Sequence, residues 1–370
     1  MKASNKPKIA FAITDLRAGG AERILSYTAD RLSQKGYDVS LICYYSDTFK
    51  KHYEIDSRIK IHFILSYQAN TDLDRLRTNE LQRVLRDSAP DVVVSFLDNM
   101  NIYCSQACDR LGIAHIACER NCPWRQPASG EKRMKRDQAF QHSTACVFQT
   151  PQQATYFGDQ VKGRSFLLPN PTILDAPPLP VDHVRKKSIV AVGRYTEQKD
   201  YPRMLRAFRA FLQTNKDYHL HCYGKDCGAK ASLERYICSN NLERYVTLHD
   251  EIQNIHQIIR ESEFFLMTSK YEGMPNALAE ALALGLICIT LDSEGGGPGK
   301  IIQDKYNGIL LPIDAEDAQI ASAISYCVSH PEFCDEIRKN CITDTAELGD
   351  RYIAGWERII DKVIKSHESE

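Results

Sequence analysis

Short runs rich in β-branched and aromatic residues alternate along the chain with longer stretches in which apolar positions recur every three or four residues. This pattern belongs to an α/β fold with parallel sheets. In the first half it predicts strands over 8–14, 38–45, 60–65, 91–96, 114–118 and 145–150, separated by helical segments such as AERILSYTADRLSQKG. The proline-rich segment LPNPTILDAPPLPVD at 168–182 then interrupts it, being unable to form a helix and unsuited to a central strand. The alternation restarts with strands predicted over 188–194, 218–224, 245–250, 263–269 and 286–292. Two doubly wound α/β domains facing each other across a cleft follow from this, residues 1–180 and 184–350, with an amphipathic helix in the remaining 351–370. Ligands of such sheets bind beyond the carboxyl ends of the strands, so the loops after strands are where function is sought.

Composition sharpens that outline. A chain of 370 residues exceeds what one hydrophobic core organises, and 43% hydrophobic residues suffice for two. The 47 basic and 48 acidic residues leave a formal charge of -1, which speaks against a nucleic-acid binder with a strongly basic field. No apolar run approaches the roughly 18 residues that span a bilayer, and MKASNKPKIAFAIT runs from a polar tail into a strand, so a soluble cytoplasmic protein is expected. The 13 cysteines are odd in number and include no C-x-x-C; the closest pairs, Cys104/Cys108, Cys118/Cys122 and Cys222/Cys227, read as free thiols in a reducing compartment, with no metal site.

Four loops carry candidate chemistry. In EGMPNALAEALALG at 272–285, Asn276 is a candidate N-cap, Ala277 to Leu284 are helix formers and Gly285 is a natural stop. Glu272 then lies just before a short helix and Glu280 about one turn inside it. A carboxylate pair beside an anion-attracting helix end suits a ligand that carries both phosphate and hydroxyls, as sugar nucleotides do, or else simply a favoured dipole and a solvated loop. In VGRYTEQKD at 192–200, Arg194 and Lys199 after a strand suit a diphosphate, or are solvated surface charges. Gly19 and Gly20 in DLRAGGAER at 15–23 allow close approach of backbone amides to a ligand, or form a plain turn; this is not G-x-G-x-x-G. EGGGPGK at 294–300 is no phosphate loop, because Glu294 stands where the first glycine is required and Ile301 follows the lysine.

Taken together, GGAER, VGRYTEQKD, SKYEGMPNALAEALALG and GGGPGKIIQDKYNGILL closely resemble the retaining glycosyltransferases of family 4, over about residues 8 to 315. ACERNCPW at 117–124 resembles the SERN segment of a bacterial branch that builds capsules, lipopolysaccharides and lipid-linked glycans. The resemblance implies the GT-B fold, two Rossmann-like domains of which the first binds the acceptor and the second the nucleotide sugar, and a C-terminal helix that packs back on the first. It implies that Glu280 binds the donor ribose, that Glu272 lies near the donor sugar and its phosphate, and that Arg194 and Lys199 hold the diphosphate. Backbone groups of Gly273, Met274, Pro275 and Asn276, together with Gly19 and Gly20 of the other domain, would contact the donor. Glu272, Arg194 and Lys199 are thus the catalytic candidates.

The implied activity is transfer of a hexose or N-acetylhexosamine, with retained configuration, from a uridine-linked nucleotide sugar to a hydroxyl of a lipid-linked or polysaccharide acceptor. It requires no cofactor beyond that donor and no metal. The one D-x-D, DLD at 72–74, sits in a polar segment and reads as surface charge. Two departures from the family pattern stand out: Glu119 and Arg120 occupy the place of a frequent histidine, with His115 inside the preceding strand, and Lys300 stands where relatives often carry an acid. On the acceptor side, Glu119, Arg120, Asn121, Trp124, Arg125, Lys132, Arg133, Lys135 and Arg136 suggest a pyrophosphate-linked lipid or an anionic surface on the inner face of the cytoplasmic membrane, or a solvated helix face. A sugar-nucleotide 2-epimerase and a catalytically silent partner subunit are the rival readings. The spacing of the two glutamates and GGAER speak against the first, and retention of Glu272, Arg194 and Lys199 against the second.

Overall fold

The computed structural model describes residues 6–17, 19–44, 53–64, 73–341 and 345–369. Of the D-x-D segment, Asp72 and the Asp74 side chain lie outside the described residues, as do the ends of the strands predicted to reach 45 and 65. The chain divides into two compact units, Met1–Pro171 with Asp350–Glu370, and Thr172–Gly349. The division falls inside the proline-rich segment, whose residues can enter neither a helix nor a sheet interior.

In the first unit, β1 (Lys8–Ile13), β2 (Asp38–Cys43), β3 (Lys60–Phe63), β4 (Val92–Phe96), β5 (Ala114–Cys118), β6 (Ala145–Phe148) and β7 (Ser165–Leu167) form a parallel sheet in the order β3-β2-β1-β4-β5-β6-β7. Helices α1 (Gly20–Gln34), α2 (Leu73–Ser88), α3 (Asp98–Leu111), α4 (Gly130–His142) and α5 (Pro151–Phe157) connect them. Every residue of β4 and β5 is buried, as expected of strands covered on both faces by crossover helices. The second unit orders β8 (Lys186–Val192), β9 (His219–Tyr223), β10 (Val246–His249), β11 (Ser262–Met267), β12 (Ile287–Leu291) and β13 (Ile309–Leu311) as β10-β9-β8-β11-β12-β13, again parallel. Its helices are α6 (Tyr201–Phe211), α7 (Lys230–Ser239), α8 (Ile255–Ile259), α9 (Asn276–Ala283), α10 (Gly297–Ile301), α11 (Asp317–Ser329) and α12 (Pro331–Cys341).

The last helix, α13 (Thr345–His367), contributes Trp356 to the core of the first unit. Its indole is wholly buried, edge-on to Phe11 of β1 and stacked on Phe96 of β4. Lys35 at the end of α1 donates to Glu357 at 3.0 Å on the rim of the same contact. Strands β7 and β13 are absent from the sequence pattern; each is a three-residue edge strand with partly exposed positions, too short for a period to register.

In each sheet the strand order reverses beside the first strand of the unit. β1 lies between β2 and β4, and β8 lies between β9 and β11. In open α/β sheets such a reversal, beyond the carboxyl ends of the strands on either side of it, is where ligands bind.

Candidate active site

In the second unit the loop after β8 is held by aromatic hydroxyls. Tyr195 is buried and donates to the carbonyls of Cys222 (2.8 Å) and His249 (2.6 Å), while Tyr201 donates to that of Gly193 (2.6 Å). A 3-10 turn over Glu197–Lys199 then presents Lys199, and Asp200, at φ 46, caps α6 by accepting from the Arg203 amide. The loop after β11 is zipped to this one. Buried Thr268 donates its hydroxyl to the Lys199 and Asp200 carbonyls (3.2 and 3.0 Å), the Lys270 amide donates to Gln198 O (2.8 Å), and Gln198 Nε2 donates to Tyr271 O (2.9 Å). The two loops consequently bring Lys199 Nζ to 2.6 Å from Glu272 Oε1, with both side chains largely buried. Arg194 stands exposed on the same loop, and among the described residues no ion pair holds its guanidinium.

From Glu272 the chain runs through Gly273, Met274 and Pro275 into α9. The sequence places the N-cap at Asn276. In the structure Pro275 is the cap and Asn276 the first helical residue, because proline at φ −75 and ψ 103 stays extended while its carbonyl accepts from the Leu278 and Ala279 amides. The helix ends as predicted at Gly285, whose φ of 77 lets the Gly285 amide donate to Leu282 O and the Leu286 amide to Ala281 O. Gly297 of α10 lies so close to this loop that a Cβ there would overlap the Gly273 carbonyl. Glu280, one turn into α9, is buried, and its Oε2 lies 3.1 Å from His256 Nε2. Lys300 is exposed on α10.

In the first unit Gly19 precedes α1, and the Tyr53 hydroxyl lies 3.3 Å from its amide and 3.1 Å from its carbonyl; Gly20 is the first residue of the helix. Glu119, just after β5, is buried. Its Oε1 accepts from the Arg120 and Asn121 amides (2.9 and 2.8 Å) and its Oε2 from Arg136 Nη1 (3.1 Å). Burial pushes this carboxyl upward, with the nearby Asp98 carboxylate adding to the rise, while Arg136 and the two amides oppose it.

The sequence counts Arg136 among the membrane- or acceptor-facing charges, but the structure buries it completely. It donates to Glu119, Asp137 and the carbonyls of Gln126 and Pro123, and lies over the rings of Tyr156 and Phe157. Arg120 is likewise inside, its guanidinium 3.8 Å from the Phe96 ring centroid and donating to Asn170 at 2.9 Å. Trp124, Arg125, Lys132 and Lys135 are exposed and Arg133 half-buried; Trp124 meets the Tyr156 ring edge-on, and Lys135 pairs with Glu131. His115 is not at the surface of any site. Its two ring nitrogens lie 2.7 and 2.9 Å from the hydroxyls of Ser95 and Ser143, and burial pushes its pKa down to about 3. Among the described residues no group of three or more His, Cys, Asp or Glu side chains is placed to hold a metal, and no helix is long and apolar enough to cross a membrane.

Residues 186–330 match the family model "Glycosyl transferases group 1". The chain is 21% identical to an uncharacterised glycosyltransferase of Haemophilus influenzae, over 95% of this chain and 99% of that one. It is 23% identical, over 90% and 92%, to a Campylobacter jejuni α-1,4-N-acetyl-D-galactosaminyltransferase acting on a diphosphoundecaprenol-linked glycan. Among solved structures, Anabaena HepE in complex with UDP and glucose superposes with a TM-score of 0.79 at 14% identity, covering 98% of this chain and all of that one. The chain has the GT-B fold, and its residues 186–330 form a group 1 glycosyltransferase domain.

In that domain, the catalytic candidates Lys199 and Glu272 meet directly, with Arg194 on the loop beside them. The acceptor-side group divides, Glu119, Arg120 and Arg136 forming a buried cluster and the rest remaining near the surface. Three residues escaped the sequence reading. Asp98 follows β4 at the reversal point of the first sheet, preceded by Leu97 at a strained φ of 74, and burial pushes its carboxyl up; the rule that directs attention to loops after strands would have found it. His256, against Glu280, and Asp175, against His256, carry no local signal at all.

Proposed function

We propose that this glycosyltransferase is a retaining, metal-independent hexosyltransferase of family 4. It moves a hexose or N-acetylhexosamine from a uridine-linked nucleotide sugar to a hydroxyl of a lipid-linked or polysaccharide acceptor in bacterial surface-glycan synthesis. The observation that carries this reading is the 2.6 Å approach of Lys199 to Glu272 where the second sheet reverses its strand order, with exposed Arg194 on the adjoining loop and Glu280 one turn into α9.

Two cations against one carboxylate leave net positive charge where a diphosphate departs, and donors fixed in place by the zipped loops need no reorganisation as that charge develops. Glu280 accepts from the ribose hydroxyls, and Glu272 orients both Lys199 and the donor sugar. The bond from the anomeric carbon to the phosphate oxygen breaks, the acceptor oxygen bonds to the same face of that carbon, and the acceptor proton leaves on the diphosphate. Support for the donor and acceptor classes comes from HepE, solved with UDP and glucose, and from the undecaprenol-linked substrate of the Campylobacter enzyme.

Thermal stabilisation and slow hydrolysis across a panel of UDP- and GDP-sugars test the reading. One UDP-sugar should stabilise the wild-type chain and be hydrolysed, and Glu280→Ala and Lys199→Ala should each lose both effects. A panel without a single responder would refute it. Exposed Trp124, Arg125, Lys132 and Lys135, with half-buried Arg133, support peripheral attachment to the anionic inner face of the cytoplasmic membrane. Neutralising Arg125, Lys132 and Lys135 together should weaken binding to anionic liposomes about a hundredfold, each basic residue near such a surface contributing about 1 kcal/mol. Undiminished binding would remove this attachment from the scheme.

A further inference from the structure

We infer that His256 is a positioning residue that aims the Glu280 carboxylate at the vicinal diol of the donor ribose, and that Asp175 of the proline-rich segment sets the ring that does so. The inference rests on the reading of Glu280 as the ribose-binding carboxylate.

His256 is the second residue of α8, a helix of one turn, and it is fully buried. A buried imidazole is costly unless its nitrogens are bonded, and here both are. Nδ1 lies 3.1 Å from the Asp175 backbone nitrogen and 2.9 Å from Asp175 Oδ1, while Nε2 lies 3.1 Å from Glu280 Oε2.

The chemistry of these partners fixes where the ring hydrogen sits. A backbone N–H can only donate, so in the neutral ring Nδ1 accepts from Asp175 and the hydrogen is on Nε2. In the imidazolium form Nε2 carries a hydrogen as well, and Nδ1–H turns to the Asp175 carboxylate. The remaining tautomer would set two N–H groups against each other and a nitrogen lone pair against the Glu280 carboxylate. Either allowed form therefore donates from Nε2 to Glu280. One oxygen so held sets the plane of the carboxylate, and hence the direction from which a diol can donate to it. A glutamate free to rotate would have to be ordered each time a nucleotide binds.

The linker residue and the helix residue thus act on the ligand only through Glu280. The second-layer partners of metal-bound histidines orient their ligands in the same manner.

The test compares UDP and GDP with their 2′,3′-dideoxy counterparts, measuring binding to the full chain in wild type, His256→Leu, His256→Gln and Glu280→Gln. Wild type should prefer the ribonucleotide. His256→Leu should lose about tenfold of that preference while binding the dideoxy compound as before, and His256→Gln, whose amide can still donate to Glu280, should recover part of it. If the leucine variant does not fold, His256→Asn, too short to reach Glu280, makes the same comparison. A His256 variant that melts earlier but keeps the full preference for ribose would overturn the inference, leaving the residue a packing role. Glu280→Gln separates the two levels. Loss of the preference there but not in the His256 variants defeats the inference alone, whereas its persistence in Glu280→Gln defeats the ribose assignment and the inference with it.

Discussion

Single residues in this molecule are read most safely where their partners are near in sequence or their type is rare inside. Lys199 and Glu272 stand out in the sequence because cations and carboxylates after apolar strands are conspicuous, although 73 positions separate them. Arg136 misleads for the opposite reason: in GEKRMKRDQ it looks like one of several solvated charges, and only the fold turns it toward Glu119. His115 shows what burial does to such a group. Its ring is enclosed in β5 between Ser95 and Ser143, and its pKa falls from the ordinary 6.5 to about 3. Between those values the unfolded chain binds a proton that the folded chain refuses. The folded state is thus fully favoured above about pH 6.5 and loses stability as the pH falls toward 3, by on the order of 5 kcal/mol in total. Melting temperatures measured from pH 7 to pH 4 should fall less steeply for His115→Gln than for wild type; parallel curves would show that another group dominates.

At the scale of elements, the interior strands were legible because burial on both faces makes them continuous apolar runs, as in VVVSF of β4. The edges were not, since β7 and β13 have three residues each and half-open faces. Helix α9 was legible apart from its first residue, where proline displaced asparagine as the cap. Its neighbour α10 was seen only as a glycine-rich loop, and the reason for its glycines lies in the packing. A Cβ on Gly297 would overlap the Gly273 carbonyl and press within 2.9 Å of Pro275 Cδ, so the segment that carries Glu272 into α9 would be displaced. Overpacking of this kind costs about 1–3 kcal/mol. Gly297→Ala should accordingly melt several degrees lower, at about 2–4 °C per kcal/mol for a unit of this size, and bind nucleotide sugar at least tenfold more weakly. Unaltered donor affinity with a normal melting temperature would mean that the loop yields freely and is not held by α10.

The whole chain is organised by the proline-rich segment and by the return of α13. The first was visible as a break in periodicity, but its second property, that Asp175 within it reaches His256, could not be read from a stretch without helical or strand pattern. The return of α13 means that residues distant in sequence complete one core: Trp356 fills the space between Phe11 and Phe96, so the first unit is unfinished without the last twenty or so residues. The second unit, Thr172–Gly349, contains Arg194, Lys199, Glu272 and Glu280. A ligand that binds only the folded form of a unit raises that unit's melting transition, by about 2.7 kcal/mol of stabilisation at a hundredfold excess over Kd. Calorimetry of the full chain should therefore resolve two transitions, of which UDP raises one. Removing residues 350–370 should abolish the transition that UDP leaves unmoved and keep the other, because the exposed Phe11 and Phe96 surfaces lose the indole that covers them. If the truncation instead abolished the UDP-sensitive transition, the nucleotide would belong to the first unit, and the assignment of the donor to Lys199, Glu272 and Glu280 would fall with it.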